Sequence, residues 1–425
     1  MVKFCVRLAV LFCFLLSPGV ALAEGFGLYE WGARGMALGG AMMARKPDPS
    51  AVAYNAALLT RLPGRQAMIG ITAVRPTGRF DNEADGSTTN VKDNIWPLPH
   101  AYYTHQINDD WFFGVGMFTR FGLGLHYPSG WPGRFNTRDV ELMTASLNPS
   151  FAWKATDKLS LGAGIELMYV TLDLKKRNRV FRPDGVEIPN SEVDASITDA
   201  QGWGLGANIG VHYQFNDQWA VGLQYRSQVG VRAQGDINFA NINPNAFPNS
   251  MFDASFKNGK ARSTVIMPDS VSAGVAWTPT PDLSLEVGAI WTRWSTFKSL
   301  DIEMPGSLPT SKNRKNWKDT WRLNAGIEYQ ALDWLTLRAG YVWDQSPVQD
   351  RYQDYLVPTG DRHMGSVGVG FQWGDAWTLD LAYAYIKPKN RFYEDRQTYG
   401  DTWTVKGNTR NMYTQLFSVS LGYTF

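Results

Sequence analysis

A rhythm that starts near residue 65 and runs to the C-terminus constrains this chain more than any other feature. Apolar residues recur at every second position, in segments joined by connections that are alternately long and short. Trp203, Leu205, Ala207, Ile209, Val211, Tyr213 and Phe215 form one such row, and Trp219, Val221, Leu223 and Tyr225 the next. Side chains of a strand point alternately to opposite faces, so each segment has one apolar face and one polar or small face. The pattern predicts fourteen strands, over 65–75, 95–107, 111–119, 143–155, 159–174, 201–215, 218–234, 262–278, 283–299, 317–330, 334–344, 361–373, 376–387 and 412–425. The short connections are turn-like, as in Asn108-Asp109-Asp110, Thr156-Asp157-Lys158, Asn216-Asp217 and Gly374-Asp375.

An even number of strands, with short turns at one end and long loops at the other, fits a bacterial outer-membrane barrel. Closure leaves no unpaired backbone in hydrocarbon. Aromatics end many of the rows, as interfacial girdles require. They are abundant, at 17 Trp, 18 Tyr and 22 Phe. A soluble sandwich or propeller calls for neither the strict alternation of connections nor aromatics at both strand ends. The mean hydropathy of −0.27 excludes a bundle of membrane helices, each of which needs about 20 apolar residues. The fold class expected is all-β, a 14-stranded antiparallel transmembrane barrel.

The first 23 residues read as a secretory signal peptide. Lys3 and Arg7 are its positive end, Leu8 to Leu16 its apolar core and Ala21-Leu22-Ala23 its cleavage site. Both cysteines, Cys5 and Cys13, lie within it, so the mature chain forms no disulfide. Removing it also removes two of the 41 basic residues, leaving 39 against 39 acids. Net neutrality argues against a nucleic-acid partner. At the other end, Phe417, Val419, Leu421, Tyr423 and Phe425 alternate with small polar residues. A last strand ending in Phe resembles the signal read by the barrel assembly machinery, and the chain is expected to act as a monomer in the cell outer membrane.

Charge on the lipid face costs on the order of 2–4 kcal/mol per Lys or Arg at the midplane. The polar face therefore lines the lumen, with Glu166, Gln224, Arg226, Glu286, Lys318, Arg322, Asn324, Arg338, Asp344, Gln372 and Asp380. Residues 24–64 do not read as strand. They are rich in Gly and Ala, with Met36, Leu38, Met42 and Met43 at helix-like intervals, and Asp48 and Ser50 precede a capped short helix at 51–54. Such a segment folds inside the barrel as a plug or stays periplasmic. The domains expected are thus a leader at 1–23, a hatch at 24–64 and the barrel at 65–425.

Several segments in order resemble the long-chain fatty acid outer-membrane transporter family, which includes aromatic-hydrocarbon uptake proteins. They are Gly25-Phe26 to Arg34-Gly35, Asp48-Pro49-Ser50-Ala51-Val52-Ala53-Tyr54-Asn55-Ala56-Ala57, Phe121-Gly122-Leu123, and Trp131-Pro132-Gly133-Arg134-Phe135. Met267-Pro268-Asp269-Ser270-Val271, Trp317-Lys318-Asp319-Thr320-Trp321-Arg322, Leu337-Arg338-Ala339-Gly340-Tyr341, Asp344-Gln345-Ser346-Pro347 and Asp361-Arg362-His363 complete the series. The resemblance implies fourteen strands, an N-terminal helical hatch plugging the lumen, and lateral release through a gap at a kinked third strand. Here that strand holds Gly114, Gly116 and Gly122, and glycines permit such bends. The family's hatch usually has Asn-Pro-Ala where this chain has Asn55-Ala56-Ala57. Those three residues and the three glycines are the gate candidates.

The function expected is passive uptake of hydrophobic compounds, long-chain fatty acids first. Monoaromatic hydrocarbons, or polar solutes through an open porin, are the alternatives. Phe121 and the aromatics of the long loops would capture the ligand, and Phe26, Leu28, Met36 and Leu38 would contact its tail. Lys318, Arg322 or Arg338 would meet a carboxylate. The five histidines form no metal-binding cluster, and a Gly-rich run at 202–210 lacks the following helix of a nucleotide site. Neither catalysis nor a cofactor is expected.

Overall fold

A computed structural model describes residues 25–182, 184–306, 309–358, 360–394 and 406–425. The expected leader lies outside the described residues. Fourteen strands form the wall. They are β1 (Arg65–Asn82), β2 (Trp96–Gln106), β3 in two pieces (Trp111–Phe118 and Gly122–His126), β4 (Asp139–Lys154) and β5 (Leu159–Asn178). There follow β6 (Val193–Gln214), β7 (Trp219–Arg226 and Val229–Asn241), β8 (Gly259–Met267 and Ser270–Thr280), β9 (Leu283–Thr292) and β10 (Thr320–Leu332). Last come β11 (Leu335–Asp344), β12 (Arg362–Trp373), β13 (Trp377–Pro388) and β14 (Lys406–Thr424). Each strand pairs antiparallel with the next, and β14 pairs with β1 from Gln66–Thr424 to Asn82–Gly407, which closes the ring.

The faces are as the rows require. Leu205 is 68% exposed and Trp203 61%, whereas Glu166, on the inner face of the neighbouring strand, is fully buried. Rings pair across strands at the short-turn end, Trp111 with Trp153 and Trp219 with Trp277. One device closes the short turns. Asn108 Oδ1 accepts from the backbone N of Asp110 and Trp111, Asn216 Oδ1 from Gln218 and Trp219, and Thr156 Oγ1 from Lys158 and Leu159. These side-chain turns explain why the residue types recur there.

Several strands outrun their expected spans at the loop end. β1 continues to Asn82, β5 to Asn178, and β14 begins at Lys406. Beyond the bilayer both faces meet water or loops. The apolar alternation ends there, although the ladder continues.

Residues 25–62 lie against the inner wall and contain two short helices, α1 (Ala33–Ala37) and α2 (Ala51–Tyr54), and a 3-10 turn at Ala56–Arg61. Ser50 sits before α2 as expected, but its side chain makes no cap bond; it turns to Asp48 instead. The hatch backbone touches the wall directly. A Cβ on Gly222 would lie 1.9 Å from Met43 O, one on Gly162 2.4 Å from Ala57 N, and one on Gly340 2.4 Å from Gly39 N. Three successive hatch amides, of Met43, Ala44 and Arg45, donate to the carboxylate of Glu286 at 2.6, 3.1 and 2.9 Å. On the adjacent strand β10, Arg34 forks onto Glu328 with two bonds of 2.8 Å.

Candidate transport site

The wall is incomplete between β2 and β3. Their ladder runs only from Gln106–Phe112 to Ala101–Met117. Above it, β3 breaks at residues 119–121, and its outer piece Gly122–His126 pairs with β4 alone. Residues Trp96–His100 of β2 pair with β1 on one side and with no strand of the described residues on the other.

β2 is built for that open edge. Ile107 N bonds to Trp111 O on the β3 side, and Gln106 N to Gly64 O on the β1 side. By the two-residue period of a strand, odd positions therefore face β3. Pro97 and Pro99 are odd, so at both places no N–H is presented to the gap. Proline is tolerated in strands at such edges.

The break in β3 is held by the hatch. Leu28 N donates to Arg120 O at 2.8 Å, Gly122 N to Phe26 O at 3.0 Å, and Trp31 Nε1 to Thr119 O at 2.9 Å. The N-terminal segment thus takes the place that β2 leaves. Phe26 is fixed among Phe121, Trp294, Phe297 and Trp317, with ring centroids 4.8 to 5.9 Å away.

A cavity of about 310 Å³ occupies the gap. Its inner wall is Phe26, Leu28, Val74, Ile386, Met412 and Leu416, its edges are Trp96, Leu98, Gly122, Leu123 and Leu125, and it reaches Met143 and Tyr169. Met143 is 50% exposed on the lipid-facing row. An apolar path therefore runs from the lumen to the outer surface of the barrel. Two charged residues border it, Glu30 and Arg362. Arg362 Nε donates to Asp344 Oδ2 at 2.8 Å, Asp344 also accepts from Arg322 Nη1 at 3.3 Å, and Arg322 Nη2 lies 3.5 Å from Glu30 Oε1. Two acids and two arginines balance, and Arg362 is the arginine that meets the cavity.

A second apolar cavity, of about 280 Å³, lies among the outer loops. Phe239, Phe256, Leu300, Ile302 and Met304 line it, with Lys175 and Lys176. Loop side chains Tyr127 and Trp131 stack at 4.2 Å, and Tyr355 meets Trp131 edge-on at 5.1 Å.

The residues singled out from the sequence divide into groups. Phe26, Leu28 and Gly122 line the gap cavity, and Phe121 packs on Phe26 behind it. Met36 is buried against Val342, Met364 and Leu416, and Leu38 sits on Gly326 and Gly340; neither lines the cavity. Lys318 lies in an open polar cleft with Gln349, Asp361 and Lys389. Arg338 bonds Glu328 at 2.6 Å and Asp380 at 2.5 Å. Arg322 stands behind Arg362, its guanidinium 4.7 Å from the Tyr29 ring.

Among the gate candidates, Gly114 and Gly116 make room for Val52 and Leu59 of the hatch, whereas Gly122 faces Leu28 in the gap. Asn55 is buried and bonds Met43 O at 2.9 Å and Val211 O at 3.1 Å. Ala56 and Ala57 rest on Gly162 of β5, two strands from the gap. Ala56 begins the 3-10 turn, a position that suits proline equally. Sequence reasoning missed Arg362, Trp96 and Leu98. Two prolines at alternate positions of one strand were the signal for the edge.

Residues 15–425 match the model of the family described as outer membrane protein transport protein (OMPP1/FadL/TodX). The chain is 27% identical to outer membrane protein P1 of Haemophilus influenzae, over 97% of each chain. It is 24% identical to the long-chain fatty acid transport protein of Escherichia coli O6:H1, over 95% of each. Its fold matches a Pseudomonas aeruginosa FadL homologue with a TM-score of 0.82 and 22% identity, over 96% of this chain and 100% of that one. It also matches the Pseudomonas putida toluene transporter TodX, with a TM-score of 0.76 and 19% identity, over 95% and 100%. The barrel, the hatch-held break in its third strand and the match across nearly the whole sequence agree: this chain belongs to the OMPP1/FadL/TodX family of outer-membrane transport proteins.

Proposed function

We propose that this protein takes up long-chain fatty acids by diffusion and releases them sideways into the membrane through the gap between β2 and β3. The observation that carries the reading is an apolar cavity that continues through that gap and has Arg362 at its inner wall. An alkyl tail entering it gains about 0.8 kcal/mol per buried CH₂. The carboxylate would accept a charge-assisted bond from Arg362, whose Nε stays engaged with Asp344. The loop cavity, with Lys175 and Lys176 beside Phe239 and Phe256, serves as the capture site. Residues 1–23 direct export, 24–64 act as the hatch, and Gly122 opposite Leu28 is the gate position. No energy source is needed, because transfer runs down the ligand's gradient.

Support comes from the relative named for fatty acid transport, aligned over nearly the whole chain. The test is uptake of radiolabelled oleate by cells that carry the protein, together with mass spectrometry of lipids extracted from the purified barrel. Oleate uptake and bound fatty acid are expected. Toluene uptake without oleate uptake, or a steady large ion current in planar bilayers, overturns the reading.

A further inference from the structure

Beside the cavity, at the level of the break in β3, lies a buried charge cluster that ligand binding does not use. Glu166 of β5 accepts from Ser146 Oγ at 2.6 Å, from Arg120 Nη1 at 2.8 Å and from Arg226 Nη1 at 3.3 Å. Arg120 belongs to the break itself, and its carbonyl is the one that accepts from Leu28 N. Arg226, on β7, reaches the hatch. Its Nη2 donates to Val52 O at 2.9 Å and Ala53 O at 2.6 Å, and its guanidinium lies over the rings of Trp31 and Phe118.

One carboxylate thus holds two arginines, one fixed to the hatch and the other in the bent strand. A buried ion pair needs only one cation for each anion, and truncating a partner leaves uncompensated charge. Here a shift of either arginine changes what the other feels at Glu166. We propose that Glu166 is a positioning residue that latches the hatch to the break in β3, so that hatch displacement and widening of the gap occur together. The meaning of that gap rests on the transport reading; the latch is a property of the protein alone.

Hydrogen exchange on the full-length, ligand-free protein in detergent tests it. Arg226→Lys keeps the charge but loses the fork that spans Glu166 and the two hatch carbonyls. It should speed exchange of the amides at 122–126 in β3, which Arg226 does not bond. Arg120→Lys should speed exchange of Met43, Ala44 and Arg45 in the hatch, whose amides bond Glu286 instead. Coupling between sites of this kind amounts to about fivefold or more in each case. Amides of β10–β13, whose ladders neither Arg120 nor Arg226 touches, should keep their protection, which separates coupling from general loosening. Glu166→Gln should speed both segments at once, and where that variant fails to assemble the two lysine variants suffice. If either lysine variant speeds exchange only on its own side, there is no latch. No fatty acid is added, so the outcome does not depend on the substrate.

Discussion

Gly222→Ala is the sharpest perturbation of the hatch seat. The new methyl carbon would lie 1.9 Å from Met43 O, 2.6 Å from Met43 C and 2.9 Å from Asn55 Nδ2. An ordinary carbon–oxygen approach is about 3.3 Å, so the hatch backbone must retreat by more than 1 Å. No rotamer change relieves the contact, because the nearest atoms are backbone. The retreat stretches the 2.6 Å bond from Met43 N to Glu286 and its neighbours from Ala44 and Arg45. Bonds to a charged group contribute about 1.5–3 kcal/mol each, and overpacking alone costs about 1–3 kcal/mol. A cost of about 3 kcal/mol shifts the seated-to-unseated ratio by roughly 100-fold. The strand ladders are untouched, so the barrel should fold and insert. Planar-bilayer recordings should then show frequent open events that the parent protein lacks. Gly230→Ala, where nothing lies within 4 Å, should behave as the parent. A Gly222→Ala barrel as silent as the parent would refute the argument that glycines seat the hatch.

Three further outcomes are expected. Arg362→Gln should raise the half-saturating oleate concentration about tenfold, from the loss of a charge-assisted bond, and leave toluene entry unchanged; equal losses for both ligands would remove Arg362 from headgroup recognition. Replacing Pro97 and Pro99 together by Ala restores two N–H donors at the gap edge, which lets β2 pair with the outer piece of β3; maximal oleate uptake should fall, and an unchanged rate contradicts the edge role. In the loops, burial raises the Glu192 carboxyl, but bonds from Arg134 and Arg177 outweigh it and hold the group below its ordinary 4.5. Its contribution to loop order is present above the unfolded value and is lost as pH falls through the lowered folded one. Proteolytic cleavage of the 127–138 and 179–192 loops, normalised at each pH to cleavage of an unstructured peptide by the same acid-tolerant or neutral protease, should therefore be no faster at pH 5 than at pH 7 and should rise only below about pH 4; a rise already at pH 5 contradicts the pairing.

Much of the wall was legible because lipid acts on each residue separately. A side chain on the outer face must be apolar whatever its neighbours are, so Trp203, Leu205 and Ile209 announce their face in the sequence. Turn residues such as Asn108 and Asn216 are equally local, since they bond amides two and three positions ahead. The hatch was legible only in part. Its small residues were visible, but the glycines of the wall on which it rests read as ordinary strand residues.

The sequence by itself determined the strand count, the facing of each row, the aromatic girdles and the absence of strand character in the N-terminal segment, because each follows from periods of two residues and from the local cost of charge in hydrocarbon. Only the tertiary structure decided which arginine meets the cavity. Lys318, Arg322, Arg338 and Arg362 are all cations of the inner face, and what separates them is their surroundings: Arg338 is held by Glu328 and Asp380, Arg322 lies between Glu30 and Asp344, and Arg362, which shares Asp344, borders the cavity. Glu328 and Asp344 sit on the neighbouring strand, but Glu30 comes from the hatch and Asp380 from two strands further round the wall. Electrostatic pairing depends on distance in space, so it emerges only when the barrel closes around its hatch.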